Sequence, residues 1–110
     1  DREVDGVNIA VLTEGSGAEA KAGDAVQLHF TTWLEDGTFV DSSLNQQRPV
    51  GIRLGEGMVY AGLESALAGM KAGEVRKAVV PPAKAFGAAG RGPVPPNSTL
   101  VLEVRLLTIE

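Results

Sequence analysis

Few side chains in this sequence could carry covalent or metal chemistry. His29 is the only histidine and there is no cysteine, so disulfides and thiolate chemistry are excluded. A zinc site, which draws on several nitrogen or sulfur ligands, has no ligand set. His29, Asp41 and Ser42 are the residue types of a nucleophilic triad, but no nucleophile-elbow motif surrounds Ser42, and three such residues meet easily in a small domain. Gly55-Glu56-Gly57 precedes a helical pattern, yet Tyr60 stands where a dinucleotide fingerprint needs its third glycine. Noncovalent chemistry remains, and its clearest sign is a stretch stiffened by proline. Pro81–Ser98 holds five of the six prolines and three glycines. Loops longer than about 12–15 residues in a compact domain are functional or disordered. Proline removes the freedom a disordered loop needs, so a stiff functional loop is expected. Pro93-Val94-Pro95-Pro96 also fits the short, common P-x-x-P ligand pattern, which would make the loop prey for a proline-binding domain.

The elements that must position this loop follow from periodicity. Ala25–Glu35 alternates, with Val26, Leu28, Phe30 and Leu34 on one face and Gln27, His29, Thr31 and Glu35 on the other, as in a strand with one buried face. Asp36-Gly37 is a hairpin-turn dipeptide, and Thr38–Asp41 is the returning strand. Val7–Leu12, Val50–Leu54, Glu74–Val80 and Thr99–Ile109 are further strands. In Val59–Met70 the apolar residues Val59, Leu63, Ala66, Leu67 and Met70 trace one helical stripe, closed by Gly69 and Gly73. So short a helix must pack on something, and the sheet is its partner. The tally is one helix and about five strands, hence an α+β fold. Read alone, Phe30, Ile52, Leu63 and Leu102 are equally core residues. Asp41-Ser42-Ser43 reads as an Asx-type turn or as part of a site. His29, opposite Phe30, reads as a solvated or edge residue.

The chain has 110 residues, 44% hydrophobic and 22% charged, which fits one compact domain over 1–110. A net charge of −4 without any basic run speaks against nucleic acid. No apolar run approaches the length of a membrane span. The first residue is Asp1 and not Met, which suggests processing or trimming.

From about Val7 to Glu110 the chain resembles the FKBP (immunophilin) family of peptidyl-prolyl isomerases. The matching stretches occur in order: Leu28-His29-Phe30-Thr31, Leu34-Glu35-Asp36-Gly37, Asp41-Ser42-Ser43, Leu54-Gly55, Gly62-Leu63-Glu64, Gly69-Met70-Lys71-Ala72-Gly73, Ala85-Phe86-Gly87 and Pro95-Pro96-Asn97-Ser98-Thr99-Leu100. The resemblance implies a curved antiparallel sheet of five to six strands, a half-barrel wrapped around one short α-helix. It implies cis-trans isomerisation of X–Pro bonds in unfolded or flexible polypeptides, with no cofactor or metal. It places catalytic positions at Phe30, Asp41, Tyr60 (through its backbone N–H), Leu63 as pocket floor, and Phe86. Substrate-binding walls fall on Val40, Val50, Ile52, Val59, Val94 and Leu102.

Several positions depart from the family's usual residues. Leu63 replaces a tryptophan, Phe86 and Phe30 replace tyrosines, and Val40, Val50 and Leu102 replace phenylalanines. Gln46 stands where an arginine pairs with the carboxylate, leaving Asp41 solvated or paired with Arg48. A wider, less polar pocket is expected, with modest isomerase activity and reduced affinity for tacrolimus or rapamycin. A non-catalytic chaperone or peptide-binding module with the same cavity is the alternative. The Ala/Gly-rich style of Ala61–Gly73 and Ala83–Gly90 points to a bacterial protein. The resemblance then leans to an extracytoplasmic site over a cytoplasmic one.

Overall fold

The computed structural model describes residues 2–46, 48–57 and 59–109, and within them the alternating segments form strands. β1 (Arg2–Val4), β2 (Val7–Thr13), β3 (Ala25–Leu34), β4 (Phe39–Ser42) and β5 (Val50–Arg53) precede the helix α1 (Ala61–Leu67). β6 (Val75–Val80) and β7 (Leu100–Ile109) follow it. The strands form one sheet in the order β1-β2-β6-β7-β3-β4, with β5 also on β3, and every pairing is antiparallel. Among the described residues the sheet thus has one strand more than the five to six expected. The addition is β1, three residues folded back on β2 through Asp5 (φ 51) and Gly6 (φ 85). It is too short to show a period, and only its aspartate-glycine turn hints at it.

β3 and β7 are the long central pair, in register from Val26 opposite Ile109 to Leu34 opposite Leu100. Leu100, Leu102, Val104 and Leu106 of β7 and Leu28 of β3 are buried on one face, where the helix lies against β2, β6 and β7. That contact buries Gly62, Leu63, Ala66 and Leu67. A Cβ at Gly62 would sit 2.2 Å from Val80 Cγ1 and 2.8 Å from the Lys84 carbonyl oxygen, so glycine sets how closely the helix approaches β6. The register shifts between Val11 and Thr13, between Thr32 and Trp33, and between Gln27 and Leu28. Such irregularities bend and twist a sheet, here around the helix.

The helix is shorter than the apolar stripe Val59–Met70. Tyr60 (φ −66, ψ 158) and Ala68 (φ −61, ψ 129) are extended. The loop from β2 to β3 competes for the backbone beyond the helix: Gly69 N–H donates to the Ala20 carbonyl at 2.9 Å and Ala20 N–H to the Met70 carbonyl at 2.7 Å. Val59 and Met70 therefore flank the helix while still facing the apolar interior. Beyond α1, the buried Glu74 and Arg76 form an ion pair at 2.5 Å. Arg76 Nη1 also donates to the carbonyls of Ala66 (3.2 Å) and Ala68 (2.8 Å), closing the helix C-terminus. No described helix is long and apolar enough to cross a membrane.

Candidate active site

A cavity of about 530 Å³ opens beside the start of α1, bounded by β3, β4, β5 and the loop after β6. β3 contributes Leu28, Phe30 and Thr32, β4 contributes Val40 and Asp41, and β5 contributes Val50 and Ile52. Val59 and Tyr60 come from the approach to the helix, and Leu63 from its first turn. Phe86, Arg91, Gly92, Pro93 and Val94 come from the loop between β6 and β7. The residues from β3 and β5 follow the period of two that puts alternate side chains on one face. Val40 and Asp41 are neighbours in sequence and would face opposite ways in a regular strand. The register shift beside them explains why both reach the cavity: Asp41 pairs with Thr32, Phe39 pairs with Trp33, and Val40 is the extra residue.

One expected wall residue is not there. Leu102 is fully buried, opposite Thr32 on β3 and Ala78 on β6, and does not line the cavity. Its place in the central strand puts it behind the wall, inside the sheet–helix core. The other ten residues expected from the sequence share the cavity.

The polar groups are held by local geometry. Asp41 is exposed, and its Oδ1 accepts from Ser42 N–H at 2.8 Å. Among the described residues no ion pair joins it to Arg48, and the Gln46 side chain lies outside those described. Ser42 and Ser43 are buried and turn back on β3. Ser42 Oγ donates to the Phe30 carbonyl at 3.1 Å and is 2.9 Å from Thr31 Oγ1, while Phe30 N–H donates to Ser43 Oγ at 2.9 Å. His29 is half-buried rather than solvated, because its Nδ1 shares a 2.9 Å hydrogen bond with Ser43 Oγ. The histidine thus meets Ser43 and not Ser42, while the Asp41 oxygen is turned to backbone, so no triad forms.

Tyr60 is the N-cap residue, its side chain makes no capping hydrogen bond, and its carbonyl accepts from Leu63 N–H at 3.1 Å. No described residue accepts from the Tyr60 N–H. Burial pushes the Tyr60 phenol up to about 12, with a hydrogen bond to Thr32 acting in the opposite direction. Its ring meets Phe86 edge-on, centroids 4.8 Å apart. Glu64, in the first turn, accepts from Gly55 N–H (2.6 Å) and Gly57 N–H (3.2 Å), tying the Val59–Tyr60 approach to the helix. Around Phe86, Gly90 N–H donates to the Phe86 carbonyl at 3.1 Å, and Asn97 N–H donates to the Gly87 carbonyl at 2.8 Å. The long loop is folded on itself.

Sequence comparison decides the family. A family profile described as FKBP-type peptidyl-prolyl cis-trans isomerase matches residues 17–107. This chain belongs to the FKBP-type peptidyl-prolyl cis-trans isomerase family. It is 45% identical over 105 residues to an FK506-binding protein of Neisseria meningitidis serogroup B, covering 94% of this chain and 96% of that one. It is 44% identical over 107 residues to peptidyl-prolyl cis-trans isomerase FKBP4 of Rattus norvegicus, covering 96% of this chain but 23% of the longer rat protein. The crystal structure of FkpA from Escherichia coli superposes with a TM-score of 0.87 at 36% identity, over 96% of this chain and 48% of that one.

The cavity of this FKBP-type isomerase also includes residues that the sequence did not single out. Thr32 continues the Leu28, Phe30 alternation, so its position was available from the period alone. Gly92 and Pro93 bring backbone to the rim. Arg91 reaches the cavity because its guanidinium lies 5.7 Å from the Phe86 ring centroid. That contact depends on how the loop folds, which no local pattern encodes. Chemically, the described residues offer apolar walls, a phenol whose pKa burial raises, and a carboxylate and a guanidinium among the lining. Among the described residues no group of three or more His, Cys, Asp or Glu is placed to hold a metal ion.

Proposed function

We propose that this isomerase seats the proline of an X–Pro segment in the cavity over Leu63 and favours the twisted amide. Resonance raises the barrier to rotation about a peptide bond to about 18–20 kcal/mol, and X–Pro bonds exchange unaided over tens of seconds or longer. Twisting removes the resonance and with it part of the charge separation across the C–N bond. An apolar, water-poor cavity therefore suits the twisted amide better than water does, which is differential binding of the transition state. The observation that carries this reading is the convergence of Phe30, Ile52, Leu63, Phe86 and Val94 on one cavity beside the helix N-terminus.

In this reading Leu63 is the floor, and Phe30, Val40, Val50, Ile52, Val59 and Val94 are the walls. Phe86 and Tyr60 form an aromatic edge against the proline ring. The Tyr60 N–H donates to a substrate carbonyl, and Asp41 orients the amide from the exposed margin. Leu102 supports the sheet behind the site without touching substrate. Phenyl rings at Phe30 and Phe86 offer no hydroxyl, and each missing hydrogen bond is worth about 0.5–1.5 kcal/mol net. Activity is accordingly modest. Macrolides of the tacrolimus and rapamycin kind bind with reduced affinity, and flexible proline-containing polypeptides are the substrates.

A protease-coupled assay on a proline peptide tests this. The slow phase set by the cis isomer speeds up in proportion to protein concentration. A slow phase no faster than buffer, with the protein folded, would leave a peptide-binding module in place of an enzyme.

A further inference from the structure

Among the described residues two charged side chains line the cavity, Asp41 and Arg91, and they differ in what already engages them. The Asp41 carboxylate accepts from Ser42 N–H at 2.8 Å. Arg91 has no carboxylate partner among the described residues. Its backbone is nevertheless fixed: Arg91 N–H donates to the Val94 carbonyl at 2.9 Å, and Val94 N–H returns a bond to the Arg91 carbonyl at 2.8 Å. Gly92, at φ 53, makes the two-residue turn between them. The guanidinium lies over the Phe86 ring, 5.7 Å from its centroid, and such cation–π packing leaves the edge N–H donors uncommitted. An exposed guanidinium on a hydrogen-bonded turn therefore lines the same cavity as Phe86, with no carboxylate partner among the described residues.

We propose that Arg91 is a specificity-determining residue that selects X–Pro segments carrying an acidic side chain next to the proline. This rests on the isomerase reading of the same cavity. The guanidinium fork fits a carboxylate in bidentate fashion, and a peptide whose proline touches Phe86 passes its neighbouring residue beside Arg91. The preference is local in origin. The chain's net charge of −4 would by itself favour basic peptides.

The test is kcat/KM on proline peptides that differ only in Glu or Gln, placed first before and then after the proline, at fixed low ionic strength. An exposed pair of this kind is worth roughly a two- to five-fold advantage for Glu, expected in at least one of the two positions. The advantage disappears in Arg91→Gln. It survives in Lys77→Gln, which removes the same charge from an exposed site on β6 outside the cavity. Equal rates for Glu and Gln at both positions would overturn the proposal, as would a ratio that Arg91→Gln leaves intact or that Lys77→Gln lowers equally. Chemical-shift titration with the same peptides gives the corresponding ratio of affinities. If no peptide is turned over at all, the isomerase reading fails, while that binding ratio still decides the role of Arg91.

Discussion

Leu63 lines the cavity from the first turn of the helix. It is 7% exposed and borders about 530 Å³ of space, so a larger side chain has open volume to enter. A tryptophan there would add aromatic surface against proline, and aromatic contacts of that kind are worth about 0.5–1.5 kcal/mol beyond area. Leu63→Trp should raise kcat/KM roughly two- to ten-fold with an unchanged circular dichroism spectrum, as the peptide assay would read. Tyr60 gives a second prediction at this scale. Its pKa is raised to about 12 by burial, above its ordinary value near 10. The stability it contributes is therefore complete below about pH 10 and is lost as the pH rises towards about 12. Urea unfolding between those values should show the decline in the wild-type chain, and Tyr60→Phe should remove that component. A stability curve identical in the two proteins would mean that the phenol titrates as if exposed.

At the scale of elements, seven helical residues cannot hold themselves, and the helix is fixed at both ends by neighbours. Glu64 draws the β5–α1 connection onto the first turn, and the Glu74–Arg76 pair closes the last. Glu74 also accepts from Lys71 N–H at 2.9 Å. Arg76→Met leaves a buried carboxylate and two helix carbonyls without their partner. It should cost about 3–5 kcal/mol of unfolding free energy, the usual cost of removing one member of a buried pair. Glu74→Gln combined with Arg76→Met should cost less than the two single changes together, a coupling that denaturant unfolding of all three variants measures. The pair was not legible in advance. Glu74 and Arg76 sit on alternate positions at the start of a strand, and polar residues there read as exposed until the helix end that covers them is known.

Across the whole molecule, periodicity carried most of the fold. The alternation of β3 and β7 and the stripe through Leu63, Ala66 and Leu67 located these two strands and the helix, since both depend on which face is buried, while their pairing at the centre of the sheet shows only in the fold. Features that depend on tertiary pairing did not show in the pattern. β1 is too short to have a period, the helix lost its C-terminal end to competing hydrogen bonds at Ala20, and the bulge that turns Val40 and Asp41 to the same side arises only from pairing with β3. For the site, ten of the positions implied by the family resemblance line one cavity. Leu102 is buried in the central strand and does not line it, since a central-strand residue can stand behind a wall as easily as in it. Arg91 escaped notice because its approach to Phe86 is a property of the folded loop.

Acceleration of rotation about X–Pro bonds is what the cavity is expected to achieve. Exchange NMR on a short proline peptide follows the cis and trans signals directly, without a coupling protease. The exchange rate should rise linearly with protein concentration, with peptide-induced shifts centred on Phe30, Tyr60, Leu63 and Phe86. Cis–trans exchange at the buffer rate, with the protein folded and those shifts present, would contradict it.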